Sequence, residues 1–84
     1  MKHAGSSALD RLEPLLMQVR HFAALKERSR GVFYRNGKAH LHFHEDPAGL
    51  FADLREGEDW RRFDVSQNKG CKALLTALKK QAPA

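Results

Sequence analysis

The stretch "VFYRNGKAHLHFHE", residues 32–45, decides the fold, because a turn signal in its middle separates two segments of strand-forming residues. The signal is Asn36-Gly37. A two-residue type I′ turn requires positive φ at both central positions, and these residue types adopt it readily. The stretch therefore predicts a β-hairpin with strands over residues 32–35 and 38–45.

The length of this turn determines which side chains share a face of the hairpin. With two turn residues, Arg35 faces Lys38, and the pairing continues from there in both directions. We expect one face to pack on the core, with Val32, Tyr34, Ala39, Leu41 and Phe43. We expect the other to face solvent, with Phe33, His40, His42 and His44.

The next stretch, "EDPAGLFADLREGEDWRRFDV", allows two interpretations. In the first, turns at residues 46–49 and 57–58 separate strands over residues 50–55 and 60–65. In the second, Asp46 caps a short helix that Gly57 ends. We favour strands, because their pairing brings together Leu50 with Val65, Ala52 with Phe63, and Asp53 with Arg62.

Apolar residues with helical spacing lie on both sides of these strands. They predict an N-terminal helix over residues 12–28, with Pro14 in its first turn, and a C-terminal helix over residues 69–81. Residues 1–8 are small and polar, so we expect them to be disordered.

Together these elements predict a single α+β domain over residues 1–84. It is a four-stranded antiparallel β-meander with an N-terminal and a C-terminal helix packed on one face, in the order α-β-β-β-β-α. The short helix of the second interpretation would give the order α-β-β-α-β-α.

The composition favours a small cytoplasmic protein that is not an enzyme. Of 84 residues, 42% are hydrophobic, and the net charge is +5. No apolar run approaches the ~20 residues of a membrane span, so we expect no membrane partner. The sequence has one cysteine and none of the common nucleotide-binding or hydrolase motifs.

The predicted solvent-facing side of the sheet is rich in aromatic and basic side chains. This composition is typical of protein interfaces, so we expect a binding or self-association module whose partner is a second copy or another protein. The candidate binding residues are Phe33, His40, His42, His44, Phe51, Arg55, Trp60 and Arg62.

The alternating histidines support a second hypothesis, a divalent-metal site for zinc or nickel. Alternate residues on a strand stand about 6.5–7 Å apart, so one ion reaches only His42 and one neighbour, His40 or His44. Asp53 supplies a third ligand if the turn at residues 46–49 has four residues, whereas a shorter loop removes it. The candidate ligands are His42, His44 and Asp53; otherwise we expect no cofactor.

The basic residues of the two predicted helices support a third hypothesis, nucleic-acid binding. Basic ends attract a phosphate backbone, but they can also pair with the acidic segment over residues 39–59. The candidates are Arg20, Lys26, Arg28, Arg30, Lys69, Lys72, Lys79 and Lys80.

The segment "LHFHEDPAGLFADLR" resembles a segment of small, uncharacterised bacterial proteins, in which a strand with HFH precedes a turn and a GLxADLR-like strand. The resemblance covers mainly residues 31–65. It implies a bacterial cytoplasmic protein and supports the strand interpretation, but it implies no activity, so it assigns no catalytic residue.

Overall fold

The computed structural model describes residues 1–82; residues 83 and 84 of the predicted domain lie outside the described residues. The described residues form two helices and an antiparallel sheet. In chain order the elements are β1 (Lys2–His3), α1 (Ser6–Val19), β2 (Lys26–Ser29), β3 (Val32–Arg35), β4 (Lys38–Asp46), β5 (Gly49–Glu56), β6 (Asp59–Asp64) and α2 (Asn68–Gln81).

The sheet contains more strands than the sequence predicts. Five strands follow the order β2-β3-β4-β5-β6, and β1 makes a sixth by pairing with β4 beyond the end of β3. The α+β class and the antiparallel sheet are confirmed. The count of four strands is wrong, because β1 and β2 form in segments predicted as disordered and helical.

The central hairpins follow the predicted turns. Asn36 and Gly37 have φ values of 52° and 79°, as a type I′ turn requires. In β5 and β6, Ala52 opposes Phe63 and Asp53 opposes Arg62. The strand interpretation of this segment is therefore confirmed, and the short helix is wrong.

The N-terminal third of the chain differs most from the prediction. α1 begins at Ser6 and ends at Val19, and Pro14 lies inside it, so the carbonyl of Asp10 has no helical donor. Residues 26–28, predicted as the end of the N-terminal helix, form β2 with residue 29 and pair with β3. Tertiary pairing with an exposed strand edge here outweighs the helix propensity of Lys and Glu. Neither helix within residues 1–82 is long and apolar enough to cross a membrane.

One hydrophobic core lies between the helices and one face of the sheet. Alternate residues of each strand point into it, which leaves the opposite face without a helical layer. The fully buried large side chains are Leu16, Val19, Phe33, Leu41, Phe43, Leu54 and Leu74.

A β-bulge corrects the predicted faces of the first hairpin. Tyr34 pairs with Ala39, but Phe33 pairs with Leu41, so His40 is an extra residue without a partner in β3. Phe33 therefore enters the core, where it is 1% exposed. The extra residue allows the phenylalanine of β3 to be buried, which a regular hairpin would leave in water.

Candidate metal centre on the outer face

The sheet face opposite the helices, here called the outer face, carries most of the predicted binding residues. These are His42, His44, Phe51, Arg55, Trp60 and Arg62. Phe33 and His40 are not among them. Phe33 is in the core, and His40 is 8% exposed with its Nε2 atom 2.8 Å from Oε1 of Gln81 in α2.

Three histidines meet on the outer face, and we call them the histidine cluster: His3, His42 and His44. β1 pairs with β4 so that His3 opposes His44, and His42 lies on the same side of β4 two residues earlier. One potential ligand atom from each residue lies within 4.8 Å of the other two. The ring centroids of His3 lie 5.5 Å from His42 and 5.0 Å from His44.

The sequence-based hypothesis contained two of these residues and missed His3. A strand of two residues has no alternation to recognise, and its partner lies about 40 residues later in the chain. The sequence around His3 contains no signal other than the histidine itself. The predicted alternative pair of His40 with His42 does not form, because the bulge turns His40 towards α2.

The environment of the cluster favours neutral imidazoles. Burial lowers the pKa of His42, and the neighbouring positive charges of His3 and His44, when protonated, lower it further. Burial also lowers the pKa of His44, although the carboxylate of Asp53 opposes this effect. Both rings therefore release their proton below the usual histidine value, and a neutral imidazole is the form that binds a metal ion.

Two nitrogen atoms of the cluster are buried without a hydrogen-bond partner in the described residues. They are Nε2 of His42 and Nδ1 of His44. Nδ1 of His44 lies 3.1 Å from Oδ2 of Asp53, but this contact lacks the alignment of a hydrogen bond. Buried polar atoms without partners are costly, so a bound ion or water at this place would stabilise the fold.

Asp53, the predicted third ligand, is next to the cluster but is engaged by Arg62. Nε and Nη2 of Arg62 each donate a hydrogen bond of 2.8 Å to the Asp53 carboxylate. This bidentate pair lowers the pKa of Asp53. The predicted register of His42 opposite Asp53 is present, but the residues that converge are His3, His42 and His44, and Asp53 is held by Arg62.

Arginine side chains cover the aromatic residues of the outer face. The guanidinium of Arg55 lies 4.5 Å from the ring centre of Trp60, and that of Arg62 lies 6.0 Å from the ring centre of Phe51. Trp60 also contacts His42, with ring centroids 5.5 Å apart, and is 42% exposed. The indole therefore forms one wall of the histidine cluster.

Two of the basic residues proposed for nucleic-acid binding are paired with carboxylates within the fold. Arg20 is paired with Glu13 and Glu27, and Arg30 with Asp10 and Glu13. These two arginines lower the pKa of Glu13 to about 2. Because their charges are balanced within the fold, they contribute little to attraction of a phosphate backbone.

Comparison with known proteins assigns no function to the histidine cluster. No protein-family model matches the chain, and no curated protein or solved structure is significantly similar to it.

Proposed function

We propose that this protein binds one divalent transition-metal ion, zinc or nickel, through His3, His42 and His44. The observation that carries the proposal is the convergence of three imidazoles to within 4.8 Å on one sheet face. Imidazole nitrogen is a preferred ligand of both ions. The proposed function is binding, not catalysis.

The cluster needs only a small contraction to hold an ion. With Zn–N distances of about 2.0–2.1 Å, ligand nitrogens in a tetrahedral site stand about 3.3 Å apart. Rotation about the side-chain torsions of His3, which is exposed on β1, brings the nitrogens closer without a change in the sheet. Three protein ligands leave a fourth position for water.

The ligands come from strands that are distant in the chain, so the site exists only in the folded state. An ion that binds the folded chain alone stabilises it by about 2.7 kcal/mol at a free concentration of 100 times Kd. Metal binding would also hold β1 against β4. That contact is also maintained by two pairs of residues and by a 3.0 Å hydrogen bond from the Ala4 amide to the Phe43 carbonyl. The Glu45 carboxylate adds an ion pair with Lys2 and accepts a hydrogen bond from the Gly5 amide.

The first prediction is that single substitutions of the cluster abolish tight zinc binding. We expect isothermal titration of the wild type to show one zinc ion per chain, and His42→Ala or His44→Ala to weaken binding at least about 100-fold. His3→Ala should weaken it less, because exposed His3 can be replaced by water. Affinity should change little between pH 8 and 7, since the lowered pKa values of His42 and His44 keep these two half-buried rings unprotonated.

The matched control is His21→Ala, which removes an exposed histidine outside the cluster and should leave the affinity unchanged. Circular dichroism of each variant would show that the fold is retained. Wild-type affinity in His42→Ala and His44→Ala, or an equal loss in His21→Ala, would contradict the proposal.

A second candidate function is self-association through the outer face. It is favoured by Trp60, a large side chain that is 42% exposed on a face that no helix covers. Tryptophan and arginine side chains are enriched in the cores of protein interfaces. A second copy of the chain is the simplest partner for such a face.

The second prediction is that Trp60→Ala weakens this association. Sedimentation equilibrium of the wild type should show a mass that rises with concentration towards twice that of one chain, and Trp60→Ala should shift the dissociation constant upward at least about tenfold. The control is Met17→Ala on α1, which removes a side chain that is 59% exposed elsewhere. A wild-type mass equal to one chain at every concentration would exclude this function.

A further inference from the structure

A concave region, separate from the histidine cluster, lies at the end of the sheet where the β3–β4 and β5–β6 turns meet the end of α2. Its volume is about 620 Å³, within the range of small-ligand sites. The residues that matter for its chemistry are Arg35, Lys38, His40, Arg55, Glu58 and Gln81. None of them belongs to the histidine cluster.

Like charges face each other in this cavity. Arg35 and Lys38 are direct partners across the Asn36-Gly37 turn, an arrangement that destabilises a hairpin. Within residues 1–82, neither forms an ion pair with a carboxylate, and the same holds for Arg55. Glu58 also lines the cavity, so the lining has three basic groups and one acidic group.

Arg55 is held in place before any ligand binds. Its Nε atom donates a 2.8 Å hydrogen bond to the carbonyl of Ala39, and its guanidinium stacks on Trp60. These contacts leave the two terminal nitrogens available as donors. A guanidinium whose plane is already fixed loses little entropy when it binds an oxyanion.

The opposite wall is fixed by Gln81. Its Nε2 group donates to the carbonyl of Arg55 at 3.0 Å, so its Oε1 atom faces His40 and accepts from the Nε2–H of that ring at 2.8 Å. The chain of contacts from α2 to β5 and β4 therefore gives the cavity a defined shape.

We propose that this cavity binds a phosphate group, either inorganic phosphate or the terminal phosphate of a small metabolite. A dianion between Arg35, Lys38 and Arg55, together with the Glu58 carboxylate, balances their three positive charges and relieves the repulsion across the turn. Guanidinium groups bind such an oxyanion through paired hydrogen bonds, and the lysine adds a point charge. A phosphodiester backbone fits less well, because the basic groups surround one cavity and do not form a stripe.

The test is titration of the metal-free protein with inorganic phosphate in the presence of a chelator, compared with sodium chloride at equal ionic strength. We expect phosphate to bind one site per chain. Arg35→Gln and Lys38→Gln should each weaken the affinity for phosphate at least about tenfold. Glu58→Gln should strengthen it, because it removes the one acidic group of the lining. Both basic substitutions are at a turn and relieve a like-charge pair, so the fold should be retained.

The control is Arg11→Gln, which removes an exposed arginine of α1 that forms no ion pair within the described residues, and it should bind phosphate as the wild type does. Equal affinities in the wild type, Arg35→Gln and Lys38→Gln would overturn the proposal, as would an effect of phosphate no larger than that of chloride. Tighter binding of a single-stranded oligonucleotide without a terminal phosphate would overturn the assignment to a phosphomonoester. The His3→Ala variant should bind phosphate normally, because His3 contacts neither Arg55 nor Trp60 among the described residues, and this separates the site from the proposed metal centre.

Discussion

Replacing Gly70 with alanine should lower the free energy of unfolding by about 3 kcal/mol, although the same change in most helices is stabilising. Gly70 lies in the first turn of α2, where alanine is favoured over glycine by about 1 kcal/mol in helix propensity. A Cβ atom at this position would, however, clash with the carbonyl oxygen of Asp64. That neighbour is backbone, so α2 must move away from the end of β6.

Urea denaturation monitored by circular dichroism measures this loss. The control is Thr76→Ala, which changes an exposed residue of the same helix and should alter stability by no more than about 0.5 kcal/mol. If Gly70→Ala were as stable as the wild type, the close contact between α2 and the end of β6 would be wrong.

Replacing Phe33 with alanine should lower the free energy of unfolding by about 3–5 kcal/mol, the usual cost of removing a buried phenylalanine. Phe33 is 1% exposed, and its ring packs edge-on against Phe43 with centroids 6.5 Å apart. A regular hairpin without the bulge would place the same side chain on the outer face, where its removal costs far less. The size of the decrease in the free energy of unfolding therefore distinguishes the bulged pairing of β3 with β4 from a regular one.

The matched control for Phe33→Ala is Phe51→Ala, which removes the same side chain from a half-buried position on the outer face. We expect its loss of stability, from the same urea titration, to be less than half as large. Equal losses in the two variants would show that both rings lie on one face and would contradict the bulge.

The features that could be predicted depend on residues close in the chain. Asn36-Gly37 determines a turn because both residues accept positive φ. The alternation of β5 and β6, together with the charge pair of Asp53 and Arg62, determines their register. In such hairpins the turn length and the two-residue alternation of side chains predict the same strand register, so the local sequence is sufficient to predict it.

The features that could not be predicted depend on contacts between distant segments. Residues 26–29 have the composition of an exposed helix, and they form β2 because the edge of β3 needs a partner. The bulge at His40 follows from the burial of Phe33, and this burial stabilises the protein only when the rest of the core is in place. The spacing of apolar residues along the sequence shows neither the unpaired edge of β3 nor the burial of Phe33.

The candidate site divides in the same way. The sequence by itself determined that His42 and His44 share one face of β4, because alternation is a local property, but it left open whether Asp53 lies opposite His42. Only the tertiary structure decided that His40 leaves this face and that His3 joins it, through a bulge and through a two-residue strand paired across the chain. A set of ligands requires convergence in space, and that convergence depends on the packing of the N-terminal segment against β4.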